Sequence, residues 1–158
     1  MATTHKKVIV RKLDRDTVQG YVGAAFVSDG KLELMNTAGK VVAVELREVK
    51  GVYFVRELGD SESLTRKVFT SRPRMEGLWV RLRFRDNEII EGIMPNDLLH
   101  EGSDGFSIIP PDTSANTQRI FVPRTALAEM TVLGVIGERK SSRRGARPED
   151  ARQVPMFT

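Results

Sequence analysis

Arg81, Arg83 and Arg85 alternate with Val80, Leu82 and Phe84, the most substantial charged pattern in the chain. On a strand, alternate residues share a face about 6.6 Å apart, close to the phosphate spacing of an extended single strand, so the stripe could track a nucleic-acid backbone. Two features oppose that use. The aromatic residue between the arginines, Phe84, falls on the opposite face of the strand and cannot stack on bases there. If Ile90 points inward, Glu91 shares the arginine face, where opposite charges on paired strands contribute about 0.2 to 1 kcal/mol. Cross-strand pairing is the stronger expectation.

The other reactive side chains offer less. His5 sits in a short amino-terminal arm and His100 beside Glu101 and Asp104; neither has the paired spacing of a metal site. Asp14 with Asp16, and Asp86 with Glu88, straddle turns, where carboxylates cap backbone N–H groups. Gly102-Ser103-Asp104-Gly105 has too little glycine, and no following helix, to cradle phosphate. No nucleophile comes with a base attached. The chain is therefore expected to be no enzyme, with no cofactor and no metal. A ligand site would lie on the polar stretch 95–118, where Asn96, Asp97, His100, Asp112 and Asn116 are the candidates. Asp112, Ser114 and Asn116 are also expected to satisfy the backbone of their own loop. Arg143 and Arg144, in the arginine-rich tail, are candidates for nucleic acid.

What must position these residues is a repeated unit. Residues 79–94, WVRLRFRDNEIIEGIM, read as a hairpin: period-2 alternation, an Asp86-Asn87 turn and a second apolar run. Residues 8–22, VIVRKLDRDTVQGYV, carry the same pattern. Setting Gly20 on Gly92 places Val8 on Val80, Val10 on Leu82, Asp14 on Asp86, Asp16 on Glu88 and Val18 on Ile90. The first unit continues through expected strands 17–27, 31–36 and 40–46, a single helical turn at Arg47-Glu48-Val49, and a strand at 51–55. RIFVPRTALAEMTVL aligns with VVAVELREVKGVYFV, so that Ile120 falls on Val42, Met130 on Val52 and Val132 on Phe54. Pro123, without a backbone donor, should end its strand. The pattern predicts an all-β chain of two tandem small barrels at 7–56 and 79–137. Residues 57–78 form a strap between them, with Phe69 and Trp79 tucked against a barrel, and 138–158 a disordered basic tail.

Composition sets the outer limits. A length of 158 residues with 40% hydrophobic content suffices for a packed core. There is no cysteine, so neither a disulfide framework nor a thiolate metal site can form. The net charge of +4 is concentrated in 138–158, where six basic residues face Glu138, Glu149 and Asp150, leaving a nearly neutral body. No run of eighteen apolar residues occurs. A cytoplasmic protein without membrane partners is expected. Arg143 and Arg147 have the Arg-x-x-x-Arg spacing of cyclic-dinucleotide receptors, but that motif should precede its barrel.

VIVRKLDRDTVQGYV, with its aspartate turn and glycine in the return strand, resembles the first motif of the Sm-like, SH3-like barrels associated with RNA. Together with EGLWVRLRFRDNEIIEGIMPND, GFSIIPPDTSANTQRIFVPRTAL and VLGVIG, the doubled arrangement is similar to an uncharacterised family of bacterial proteins. The resemblance covers about residues 7–137 and implies a fold. No binding residue is carried over, because Val27-Ser28-Asp29, Asn96-Asp97-Leu98, Leu46-Arg47 and Arg124-Thr125 stand where Sm-like proteins show Met-Asn and Arg-Gly steps. Two functional classes follow. One is a non-enzymatic interaction or scaffold module that binds a protein or further copies of itself through open strand edges; the other is an Sm-like RNA-binding regulator.

Overall fold

Both units fold as antiparallel strands joined by tight turns, and each turn has a chemical cause. The computed structural model describes residues 5–59, 66–96, 104–112 and 114–137. In the first unit, β1 (Lys6–Lys12) and β2 (Thr17–Val22) form a hairpin in which Asp14 Oδ1 accepts the Asp16 N–H at 3.0 Å and Arg15 takes φ 77°. β3 (Val27–Ser28) turns through Asp29 and Gly30, both at positive φ, into β4 (Lys31–Asn36). Asn36 Oδ1 then accepts the N–H groups of Ala38 and Lys40, which bends the chain into β5 (Val41–Glu45). A 3-10 turn, Leu46–Glu48, leads to β6 (Val49–Val55).

The second unit repeats this plan with β7 (Gly77–Phe84), β8 (Ile89–Met94), β9 (Gly105–Ile108), β10 (Thr117–Pro123), a 3-10 turn Arg124–Ala126, and β11 (Leu127–Ile136). The repetition extends to single hydrogen bonds. Lys12 N–H donates to the Asp16 carbonyl as Phe84 N–H does to Glu88, and Leu13 N–H donates to Glu48 as Arg85 N–H does to Ala126. Asn87, at φ 72°, takes the place of Arg15. Val8 pairs with Phe54 as Val80 pairs with Val132, the register expected from the aligned sequences.

Two expectations need correction. The strand expected at 17–27 breaks after Val22, because β4 is paired by β2 at Asn36 and Met35 and again by β3 at Leu32 and Lys31, so the intervening segment must bend. Neither unit is a closed barrel. The first unit runs β5-β4-β2-β1-β6, and the outer edge of β6, where closure onto β5 would occur, is occupied instead by β10. The sheet continues β6-β10-β9 and is linked to β11-β7-β8 through a single bridge, Ile93 with Ile109.

That ladder explains the core. Val8, Val10, Val52 and Phe54 face one cluster with Val22, Leu32, Leu34 and Leu46. From the opposite face of the same strands, Ile9, Tyr53 and Val55 enter a second cluster with Val80, Leu82, Phe84, Ile90, Ile108 and Ile120. β1 and β6 are thus a shared layer between two apolar cores, and burial on both faces is what their unalternated runs Val8-Ile9-Val10 and Val52-Tyr53-Phe54-Val55 provide. The described residues contain no α-helix, and no helix among them is long and apolar enough to cross a membrane.

Candidate functional site: arginine stripe, seam and open edges

β7 presents the arginine stripe, and the structure engages each member of it. Arg81 lies directly opposite Glu91 and donates to Glu91 Oε2 from Nε at 3.3 Å and from Nη2 at 3.1 Å. Arg83 reaches Glu129 Oε1 and Asn87 Oδ1, each at 3.3 Å. Arg85 donates through Nε to the Thr125 carbonyl. Arg81 and Arg83 thus pair across strands, whereas Arg85 binds a carbonyl of the 3-10 turn Arg124–Ala126.

Glu91 is the more informative residue. Its side chain is almost fully buried, yet it has four donors: besides Arg81, the Trp79 indole N–H at 3.1 Å and the Phe69 backbone N–H at 3.1 Å both reach Oε1. Its own N–H donates to the Lys67 carbonyl at 2.7 Å. Phe69 packs edge-on against Trp79 with centroids 6.1 Å apart. Glu91 therefore fastens the described part of the strap to β8, and the buried carboxylate is stable there because its oxygens are saturated by donors. Of the strap cations, Lys67 pairs with Glu88 at 2.6 Å and Arg72 donates to the Val135 carbonyl at 3.3 Å.

At the seam between the units, Lys50 on β6 donates to both Asp86 (2.7 Å) and Glu88 on the β7–β8 turn. Burial opposes the ionisation of these two acids, but hydrogen bonds and charge from Lys50, joined at Glu88 by Lys67, outweigh it and hold both carboxyls below their ordinary range. Among the described residues, the position-for-position counterparts Asp14 and Asp16 have no such clamp.

Of the loop candidates, Asp112 and Asn116 make hydrogen bonds within the chain. Asp112 Oδ1 accepts the Ser114 N–H at 3.0 Å and its hydroxyl at 2.6 Å, as expected of a loop satisfying itself. Asn116 departs from that expectation. Its amide accepts from Glu57 N–H at 2.9 Å and donates to the Glu57 carbonyl at 3.0 Å, so it grips the end of the first unit and not its own loop. Asn96 is exposed beyond β8. Asp97, His100, Arg143, Arg144 and Arg147 lie outside the described residues, as does all of the tail 138–158. No group of three or more potential metal ligands occurs among the described residues.

The feature that sequence reasoning missed is the β6–β10 ladder: Val52 with Phe121, Tyr53 with Ile120, Phe54 with Arg119 and Val55 with Thr117. Arg119 lays its guanidinium 4.0 Å over the Phe54 ring. The unalternated apolar run of β6 signals burial on both faces, but not which strand pairs along its edge. Among the described residues the corresponding edges at the two ends of the strand path are open: β5 pairs only with β4, and β11 only with β7. Both edges carry exposed valines: Val41 is 74% exposed, Val132 53% and Val135 56%.

Comparison with known proteins gives one match. The model of a family of unknown function, DUF6982, matches residues 4–134. No curated protein and no solved structure matches the chain.

Proposed function

The chain belongs to DUF6982, a family of unknown function, so its role has to be read from its own surfaces, and we propose that it is a non-enzymatic interaction module that associates head to tail with further copies of itself by strand pairing. The observation that supports this reading is the β6–β10 ladder, which joins the last strand of one unit to the penultimate strand of the other. By the internal repeat, β11 is the counterpart of β6 and β5 the counterpart of β10. Each chain thus carries one used and one unused copy of the same joint. Transferring the register pairs Val132 with Val41, Thr131 with Val42 and Met130 with Ala43 of the next molecule, which covers two of the three exposed valines, Val41 and Val132. Unpaired edges with exposed apolar residues are templates for strand addition. The joint is heterologous, so copies close into a ring or extend as a filament.

The strand order of each unit, with a 3-10 turn before its last strand, also supports reading the chain as two open, Sm-like small barrels. The protein partners of Arg81, Arg83 and Arg85 favour the interaction reading over an RNA-binding role for the stripe.

Light scattering after size-exclusion chromatography, over a concentration series, tests the proposal. The unmodified chain is expected as an oligomer. V41K blocks one edge and V132K the other, so each alone is expected as a monomer while an equimolar mixture forms a 1:1 complex and nothing larger. A chain that stays monomeric at every concentration, or a V41K/V132K double variant that still assembles, overturns the reading. Circular dichroism of each variant establishes that it is folded.

A further inference from the structure

The bend that interrupts the expected strand 17–27 borders a hollow of about 300 Å³, lined by Lys6, Gly23, Ala24, Phe26, Phe54 and Arg119. Five of these residues belong to the first unit and Arg119 to the second, so the β6–β10 ladder completes the hollow by pairing Phe54 with Arg119. None of them lies on β5 or β11, the edges invoked for assembly.

The wall is aromatic and held in place. The Phe26 ring meets Phe54 and Phe121 edge-on, with centroids 5.7 and 5.4 Å apart, and the Phe26 carbonyl accepts the Glu33 N–H at 2.9 Å. A Cβ on Gly23 would meet no atom within 4 Å, so the space beside the bend is open. No carboxylate lines the hollow, whereas two cations do. Arg119 is half-buried with its guanidinium 4.0 Å from the centre of the Phe54 ring, and among the described residues its N–H groups have no acceptor. Glu76 shares a second, smaller hollow with Arg119 but forms no ion pair with it. Lys6 is exposed and likewise has no partner among the described residues, in contrast to its neighbour Lys7, which pairs with Glu57 at 4.0 Å.

A guanidinium stacked on a ring keeps its N–H edge free, and that edge matches the two oxygens of a carboxylate. The adjoining phenylalanines suit a flat apolar body, which they would meet in the edge-to-face manner they already use with one another. A bare inorganic anion would leave that wall uncovered, and a neutral apolar ligand would take water from Arg119 without replacing it. The volume is at the lower end of small-ligand sites, enough for one ring and its substituent. We propose that this hollow binds a small aromatic carboxylate, with the carboxylate on Arg119 and Lys6 and the ring against Phe26 and Phe54. By sequence Phe26 reads as part of a continuous strand; the bend and the ladder together put it beside Arg119.

Calorimetry on the full chain tests this with four probes: 3-phenylpropionate, its neutral amide, acetate, and a capped phenylalanyl-glutamyl dipeptide. The phenylpropionate is expected to bind more tightly than the amide or acetate. R119Q is expected to weaken it about tenfold, the loss of a charge-assisted pair, and K6Q to weaken it less. Lys6 is exposed, so K6Q folds; a melting curve establishes the same for R119Q. If R119Q proves unfolded, R119K, which keeps the charge and loses the two-pronged edge, carries the same direction of effect. No binding of phenylpropionate overturns the proposal, as does amide or acetate binding of equal strength. Binding that neither R119Q nor K6Q alters would place the acid on other cations and overturn it too. Dipeptide binding without phenylpropionate binding would make the hollow a peptide contact instead. V41K/V132K is expected to bind phenylpropionate as the unmodified chain does, so this outcome is independent of assembly.

Discussion

Glu91 shows how one buried side chain engages the first residue of a charged pattern. Three arginines at alternate positions look like a phosphate track until the residue opposite the first of them is a buried carboxylate with four donors. Glu91→Ala is expected to cost about 2–4 kcal/mol, because it leaves the Trp79 and Phe69 N–H groups without acceptors and removes the partner of Arg81. Glu91→Gln keeps an acceptor and is expected to cost less. Urea unfolding midpoints rank the two, and equal stability of E91A and the unmodified protein would refute the role. Replacing Arg81, Arg83 and Arg85 together by Gln is expected to lower the melting temperature only slightly, since their partly exposed ion pairs contribute at most about 1 kcal/mol apiece.

At the scale of elements, the two units differ where their partners differ. Gly20 and Gly92 occupy the same place in β2 and β8, but a Cβ on Gly20 would lie 2.2 Å from the Met35 carbonyl oxygen, whereas one on Gly92 would meet the Ile108 side-chain end at 2.8 Å and its nearest backbone atom, the Ile109 carbonyl oxygen, only at 3.0 Å. Backbone cannot yield as a side chain can. Gly20→Ala is therefore expected to destabilise more than Gly92→Ala, and the reverse order in thermal melts would contradict this account. The clamp at the seam makes a pH prediction. Asp86 and Glu88 are lowered from ordinary values of 3.8 and 4.5, so the folded state binds these protons less readily than the unfolded state. Their contribution is fully present above those values and is lost as the pH falls below about 4 through the lowered folded-state values. Lys50→Met is expected to flatten stability against pH in that acidic window, as read from urea midpoints between about pH 2 and 6. An unchanged slope would mean the clamp does not couple to folding.

For the molecule as a whole, the shared layer implies that the units do not unfold independently. Ile9, Tyr53 and Val55 belong by sequence to the first unit and by packing to the second core. Melting followed by Trp79 fluorescence, which reports the second unit, and by far-ultraviolet circular dichroism, which reports both, is expected to give coincident transitions. Two separated transitions would show that the ladder between β6 and β10 is weaker than its geometry implies. The same ladder sets the architecture that the proposed assembly extends, since it uses one joint inside the chain and leaves its counterpart open at both ends.

Much of this was legible from residues alone, because hairpins, turns and repeats are local. Alternation at 80–85, the Asp-x-Asp/Glu turn chemistry, the pairing of Glu91 with Arg81 and the correspondence of Val132 with Phe54 all follow from period-2 geometry and from short side chains capping nearby N–H groups. The all-β class followed from the same signals. Tertiary structure decided what each strand edge meets. Whether β6 closes a barrel or receives β10 depends on residues some sixty positions away, and backbone hydrogen-bonding groups are the same at every edge, so no side-chain pattern names the partner. For that reason Asn116 was assigned to its own loop when it grips Glu57. The sequence determined the units, because their interactions span a few residues; the joint between them, and every site that depends on it, arises only when distant edges meet.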